Sequence, residues 1–273
     1  MVGRRMPPVT LQGPATPVAP GNPIPCTVSL FLPRRVQARA VRVEVVGLFR
    51  WTVGGWGAGP LRLRRWAQEG VVHTRKTTPL DRALGPGVAS YRVEVAIPPG
   101  SPPSVAGEGV KMLYLLRASL DVPHAPDRWE QVPLTVVAAT PPERAPSPPH
   151  THPGITVCLP LPPILTPGHR LQGDLVLSSS HPLVLAGPRL ELVQVERSPR
   201  GEGAFVAARA LLPSLSLGAY QERRVPFALL VPPTAPPTCT LPRGSAITWA
   251  IRLVARDMPP LFQQEVLVHR GAS

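Results

Sequence analysis

The sequence predicts an all-β protein built from two tandem antiparallel β-sandwich domains. Three features of its 273 residues lead to this class. The 40 prolines exclude a helix-rich chain, because each interior proline costs a helix about 3 kcal/mol. Apolar residues alternate with polar ones in several short segments, which is the period of a β-strand. An unusual proline-rich segment also occurs twice, which predicts two copies of one domain.

The repeated segment follows an apolar strand in both copies. Residues 95–104 read VAIPPGSPPS and residues 229–238 read LLVPPTAPPT, 134 positions later. A proline fixes φ and donates no backbone hydrogen, so a strand must end there. Paired prolines therefore predict a stiff, extended crossover that ends at a hydroxyl residue, Ser104 or Thr238.

The remaining elements of the first half are predicted from alternation. Val41, Val43 and Val45 alternate with charged residues, which directs the valines inward. The segment 48–87 is irregular, with a hairpin tip at 54–59 and a short helical turn at 79–86. Strands are predicted at 9–11, 26–32, 36–46, 91–97, 110–122 and 130–137.

The second half repeats the first at a nearly constant offset. The offset is 147 residues early in the domain and falls to 134–136 after a loop that is shorter in the second half. Ile247, Trp249, Ile251 and Leu253 are predicted to face inward, and 265–268 to form the closing strand. The equivalent pairs are Gly21 with Gly168, Glu44 with Glu191, Tyr114 with Trp249, Arg117 with Arg252, and Asp121 with Asp257.

These repeats predict three parts: a sandwich at 1–139, a proline-rich linker at 140–154 and a second sandwich at 155–273. Proline, serine and histidine in the linker cannot build a core, so a stiff spacer is expected. Its P-x-x-P spacings leave open a ligand for a proline-binding module. His150 and His152 could contribute to a metal site, but without a nearby carboxylate pair a solvated spacer is favoured.

The chain is strongly basic, with a net charge of +13 carried almost entirely by arginine. This charge predicts an anionic partner, such as nucleic acid, anionic lipid or a phosphorylated peptide. A compositional origin in GC-rich coding stays open as the alternative. The candidate binding residues are Arg50, Trp56, Arg62, Arg64 and Arg65, since arginine and tryptophan together can bind phosphate and stack or insert at lipid headgroups. Alternatively, Trp51 and Trp66 are core residues and the arginines keep an edge strand soluble.

Motifs for catalysis and cofactors are missing from the sequence. There is no nucleophile elbow or phosphate-binding loop, so no enzyme activity, cofactor, metal or small-molecule substrate is expected. Three widely separated cysteines, no signal-peptide pattern and no apolar run of spanning length predict a cytoplasmic protein. Asp121 and Asp257 precede turns and are expected to cap them, while Glu44 and Glu191 are expected in an exposed charge ladder.

The motif that combines the crossover, a glycine turn and the strand MLYLLRASLDVP resembles the first domain of the arrestin family. The second half is similar to the same motif in weaker form, through ITWAIRLVARD. The positions that carry the resemblance are Pro102, Pro103, Ser104, Gly107, Tyr114, Leu120, Asp121 and Pro123.

This resemblance implies two tandem arrestin-like, immunoglobulin-like sandwiches that serve as an adaptor. The wider clan includes receptor-binding arrestins, the cargo-binding retromer subunit and bacterial sporulation-control proteins. The chain lacks a long regulatory tail, an acidic-apolar clathrin-type motif and a proline-tyrosine motif, so phosphate sensing and receptor endocytosis are not carried over. A compact prokaryotic arrestin-like protein fits better. The leading hypothesis is a non-enzymatic scaffold for protein partners, and the alternative is binding of an anionic membrane or other polyanion.

Overall fold

A computed structural model describes residues 9–53, 65–80, 83–125, 129–138 and 150–269, and they are almost entirely β-strand. The first half contains β1 (Val9–Gln12), β2 (Pro23–Leu32), β3 (Ala40–Thr52), β4 (Trp66–Pro79), β5 (Gly87–Ala96), β6 (Val105–Ala106), β7 (Val110–Asp121) and β8 (Trp129–Leu134). The second half contains β9 (His150–Thr151), β10 (Ile155–Cys158), β11 (Ile164–Leu165), β12 (Arg170–Ser179), β13 (Leu183–Leu185), β14 (Arg189–Ser198), β15 (Gly201–Leu211), β16 (Leu215–Leu217), β17 (Arg223–Leu230), β18 (Cys239–Thr240), β19 (Ala246–Val254) and β20 (Phe262–Val268). In these ranges the only helical element is a 3-10 turn (Pro242–Gly244).

The strands of each half pair only among themselves in the described part of the chain. In the first half, β1-β2-β5 form one sheet, and β4-β3-β7 form another that β6 and β8 extend. In the second half, β10-β12-β17 correspond to the small sheet and β15-β14-β19-β20 to the large one. All pairings among these strands are antiparallel, which agrees with the predicted class.

Buried apolar side chains on the inward faces of the sheets form the core. Val41, Val43 and Val45 are fully buried, and the predicted inward face of β19 is buried as well. The buried residues of both halves form one continuous apolar cluster, so burial alone does not divide the chain. Strand pairing does separate the first half of the chain from the second. That the two halves are independent domains stays a prediction.

The two proline crossovers make the same hydrogen bonds in both halves. The Tyr114 hydroxyl donates to the Pro102 carbonyl at 2.7 Å, and the Trp249 indole donates to the Pro236 carbonyl at 3.0 Å. Proline supplies an acceptor without a donor, so each buried aromatic finds the partner that its polar atom requires.

The hydroxyl at the end of each crossover binds the last strand segment of its half. Ser104 Oγ accepts from the Val136 N–H and Thr238 Oγ1 from the Val268 N–H, both at 2.9 Å. The backbone N–H of each hydroxyl residue donates to the carbonyl of the same partner at 2.8 Å. A crossover that lacks strand pairing is thereby fixed to its sheet.

Three local expectations need correction. The segment 48–87, expected to be irregular, contains the 14-residue strand β4, whose polar and exposed residues hide the alternation of a buried strand. Leu84, placed in a helical turn, instead pairs with Val36 in an antiparallel bridge. His150 and Thr151, placed in the linker, form β9 beside β20, while residues 139–149 of the linker lie outside the described residues.

Candidate functional site

The predicted arginine–tryptophan site is only partly described. Trp56, Arg62 and Arg64 lie outside the described residues. Arg50 on β3 is exposed, and its Nε donates to Gln68 Oε1 at 2.6 Å. Arg65 is exposed just before β4, where its carbonyl accepts from the Val53 N–H at 2.9 Å.

The two flanking tryptophans have different environments. Trp51 is half-buried and stacks on Phe49 with ring centroids 5.2 Å apart, so it belongs to the interior as the alternative interpretation held. Trp66 is 37% exposed and carries the Lys111 ammonium 4.8 Å from its ring centroid. Of these two tryptophans, Trp66 is therefore the one whose ring is accessible to a partner, and its role in the predicted site stays a prediction.

The sequence missed an apolar stripe on the outer face of the large sheet. Val46, Leu48, Val72, Leu113 and Leu115 are neighbours on β3, β4 and β7, and none belongs to the core cluster. Val46 is buried at the centre, the three leucines are half-buried and Val72 is 47% exposed.

Cations border this stripe along both sides. Arg50 and Lys111 are paired across β3 and β7 on one side. On the other side, Arg75 and Arg117 lie on either side of Glu44. The five apolar residues and these four cations are named the outer trough.

Glu44 and its equivalent Glu191 are buried, not exposed as expected. Their exposed fractions are 1% and 4%, because arginines on both neighbouring strands cover them. Glu44 pairs with Arg75 at 2.5 Å and with Arg117 at 3.8 Å. The alternation of residues along one strand does not show which side chains of the neighbouring strands will bury a glutamate.

The second half repeats this arrangement around Glu191. Its carboxylate pairs with Arg189 at 2.8 Å, Arg209 at 3.2 Å and Arg252 at 3.5 Å. Burial alone would raise the pKa of Glu191, but hydrogen bonds and charge from Arg189 and Arg209 lower the pKa below its usual value. Across the strands the first half thus reads Arg75, Glu44, Arg117, Gln131 and the second reads Arg209, Glu191, Arg252, Gln263.

Asp121 forms an ion-pair cluster and does not cap a turn as expected. Its two carboxylate oxygens accept from Arg39 at 2.7 Å and Arg42 at 2.6 Å. Asp257, in contrast, lies in a turn with a φ of 58°. The repeated aspartate therefore has different environments in the two halves.

A buried carboxylate joins the two halves. Glu196 is fully buried on β14, and its oxygens accept from the N–H groups of Glu108 at 2.7 Å, Gly109 at 2.7 Å and Val110 at 3.0 Å. The Gln194 amide also donates to this carboxylate. Three consecutive backbone donors around one anion form a nest, which stabilises the negative charge.

The same junction has a surface contact and a cleft. Arg243 pairs with Glu69 at 2.5 Å and lies 5.4 Å from the centroid of Trp51. A cleft of about 180 Å³ lies between the crossovers, with Ser104 and Pro236 among its lining residues. This volume is below that of common ligand pockets.

The groups available for chemistry are dispersed. Cys26, Cys158 and Cys239 are free thiols, and burial raises the pKa of Cys239 to about 12, which disfavours its thiolate form. Within the described ranges, no three His, Cys, Asp or Glu residues lie close enough to hold a metal. Burial lowers the pKa of His73, whose ring lies 5.4 Å from that of Tyr114.

No protein-family model matches the chain, and the search of curated proteins gives no match.

In the described part of the chain, no helix has the length and apolar character needed to cross a membrane.

Proposed function

We propose that the protein is a non-enzymatic adaptor of the arrestin-like class, which works in the cytoplasm and binds protein partners through its two sandwiches. The observation that carries this proposal is a pair of long edge strands. In the described residues, β4 pairs only with β3 and β15 only with β14, so each has one unpaired edge. An unpaired edge offers backbone donors and acceptors to an added peptide strand.

The kinship with arrestins belongs to the same proposal. It is supported by the crossover contacts of Tyr114 and Ser104, which recur at Trp249 and Thr238. These are residues on which the sequence resemblance rests or their equivalents in the second half. Free thiols at all three cysteines are compatible with a reducing compartment.

Photo-crosslinking in the native cells tests the adaptor proposal. A photoreactive phenylalanine analogue replaces Thr77 on β4 or Leu211 on β15, both of which are exposed. The control position is Tyr220, which is 84% exposed in a loop. We expect discrete crosslinked proteins from one of the edge positions and none from Tyr220. If the yield of crosslinked protein from Thr77 and from Leu211 is no higher than the yield from Tyr220, the proposal is refuted.

Binding of a polyanion is the second candidate function, and the exposed Trp66, with the half-buried Lys111 ammonium over its ring, favours it. The predicted residues Arg50, Trp56, Arg62, Arg64 and Arg65 would supply the charge. Sedimentation with phosphatidylserine vesicles and retention on heparin, each at rising salt, test this function. Affinity should fall with salt and in the Arg62→Ala, Arg64→Ala double variant. An unchanged affinity in that variant would exclude the hairpin as the site.

A further inference from the structure

The apolar residues of the outer trough take no part in the hydrophobic core of the described residues. Leu48, Leu113 and Leu115 lie outside the core cluster, on the face of the sheet that points away from it. The described contacts from the second half fall elsewhere, on the loop bound by Glu196 and on Glu69 and Trp51. A partly exposed apolar stripe bordered by charge is characteristic of an interaction surface.

The dimensions of the trough fit one α-helix laid across the strands. Lys111 and Arg117 on β7 are six residues apart, which corresponds to about 20 Å along a strand. A helix with its side chains is about 10–12 Å wide, so it fits between the two cationic borders. Three strands span about 10 Å, which two turns of helix cover.

The cations on both sides of the trough favour a helix that carries acidic residues on both sides of its apolar face. Arg75 and Arg117 share one carboxylate, Glu44, and so keep an excess of positive charge. Arg50 binds the neutral Gln68. Lys111 and Arg117 lie over Trp66 and Trp129, at 4.8 and 4.5 Å from the ring centroids, which orients both cations beside the stripe.

The exposure of the trough favours a helix over a bilayer. Of its five apolar residues, Val46 is 4% exposed, the three leucines are half-buried and Val72 is 47% exposed. Insertion at a membrane surface needs a broad apolar face that enters the headgroup region. A mostly half-buried apolar stripe with cations on both sides instead suits the apolar face of a helix that carries acidic residues beside it.

We propose that the outer trough binds an amphipathic helix of a partner protein, with its apolar face on Leu48, Leu113 and Leu115 and acidic residues against the two cationic borders. This proposal rests on the adaptor function and names the partner class for one surface. It is specific to the first half. At the equivalent place in the second half, the three leucines are replaced by Val195, Thr248 and Ala250, and Arg197 is paired with Glu202 at 3.4 Å.

The test uses the full chain and a labelled 18-residue peptide with leucines at i, i+3, i+4 and i+7 and glutamates on both sides of them. A scrambled peptide of the same composition and phosphatidylserine vesicles are the competing probes. The trough variant is Leu48→Ser with Arg50→Glu. The matched control is Val195→Ser with Arg197→Glu, at the equivalent positions of the second half. Urea midpoints establish that both variants remain folded.

We expect the amphipathic peptide to bind, its affinity to fall at least tenfold in the trough variant, and the control variant to bind like the parent protein. The proposal is overturned if the scrambled peptide binds as tightly as the amphipathic one, or if the trough variant binds the amphipathic peptide like the parent protein. It is also overturned if the parent protein binds vesicles but not the peptide, and the trough variant loses the vesicle binding. If the amphipathic peptide fails to bind while Thr77 or Leu211 still gives crosslinked partners, the adaptor function stands and the trough proposal is wrong. If neither position crosslinks, the adaptor function itself fails.

Discussion

The two halves of the molecule share their internal framework and differ where they meet. Phe49 and Trp51 of β3 correspond to Glu196 and Ser198 of β14, 147 residues later. In the first half this end of the strand is apolar, with the two rings stacked. In the second half it is polar, and Glu196 accepts three backbone N–H groups of the first half. Two halves with similar strand pairing are therefore joined through a buried carboxylate that only the second half has.

The shared framework is specific in its details. Both large sheets contain a β-bulge in the edge strand, which makes His73 and Ala207 the extra residues. A bulge increases the local twist and bends its strand, and both edge strands have one at the corresponding place. Gly47 opposite the first bulge leaves space for His73 and Met112, since a Cβ there would lie 2.7 Å from Met112 Cε.

Removal of the Glu196 carboxylate should have the largest effect. Glu196→Ala leaves the N–H groups of Glu108, Gly109 and Val110 without their acceptor, and the bonds of the last two are buried. We expect the free energy of unfolding to fall by about 3 kcal/mol or more, measured by urea denaturation. Limited proteolysis should also separate the two halves more readily.

The control for this variant is Glu202→Ala on the neighbouring strand. Glu202 forms an exposed ion pair with Arg197, and its loss should cost less than about 0.5 kcal/mol. Equal losses in the two variants would mean that the junction does not depend on the buried carboxylate.

The buried glutamates of the sheets should give the next largest effect. Glu191→Gln keeps the shape and removes the charge that three arginines neutralise. We expect a loss of about 1–3 kcal/mol at pH 7, and a similar loss for Glu44→Gln, because both carboxylates lie under two cross-strand arginines.

The pH dependence of the Glu191 effect follows from its lowered pKa. A carboxylate with a lowered pKa in the folded state stabilises the protein above its unfolded pKa of about 4.3, and this contribution is lost as the pH falls through the folded value. The difference in urea midpoint between parent and Glu191→Gln should therefore begin to shrink as the pH falls below about 4.3, and it should close at lower pH. Glu222→Gln, in an exposed pair with Arg224, is the control and should show little change at any pH. A pH-independent gap between parent and Glu191→Gln would contradict the assigned charge effect.

The all-β, antiparallel character of the fold could be predicted from the sequence because its signals are local. Alternation of Val41, Val43 and Val45 places one strand face inward, and each proline pair ends a strand. β4 could not be predicted, because an edge strand with exposed residues on both faces has no apolar period.

The surfaces depend on pairing between strands and were therefore not predictable. Glu44 is buried by Arg75 and Arg117, which lie 31 and 73 residues further along the chain. The outer trough likewise combines Leu48 with Leu113, and no spacing within one strand reveals that neighbourhood. Glu196 has the sequence pattern of an ordinary strand-end charge, and only the loop of the other half makes it a buried acceptor.

The hydroxyl residues of the crossovers should give the smallest and most symmetrical effect. Ser104→Ala and Thr238→Val each leave one backbone N–H, of Val136 or Val268, without its acceptor. We expect each to lower the free energy of unfolding by about 1–2 kcal/mol, and the double variant to show the sum within about 0.5 kcal/mol. Thr10→Val, whose hydroxyl bond lies on an exposed edge strand, should stay close to the parent protein. If Ser104→Ala were costly and Thr238→Val neutral, the crossovers would not be equivalent supports and the shared framework would be narrower than the contacts indicate.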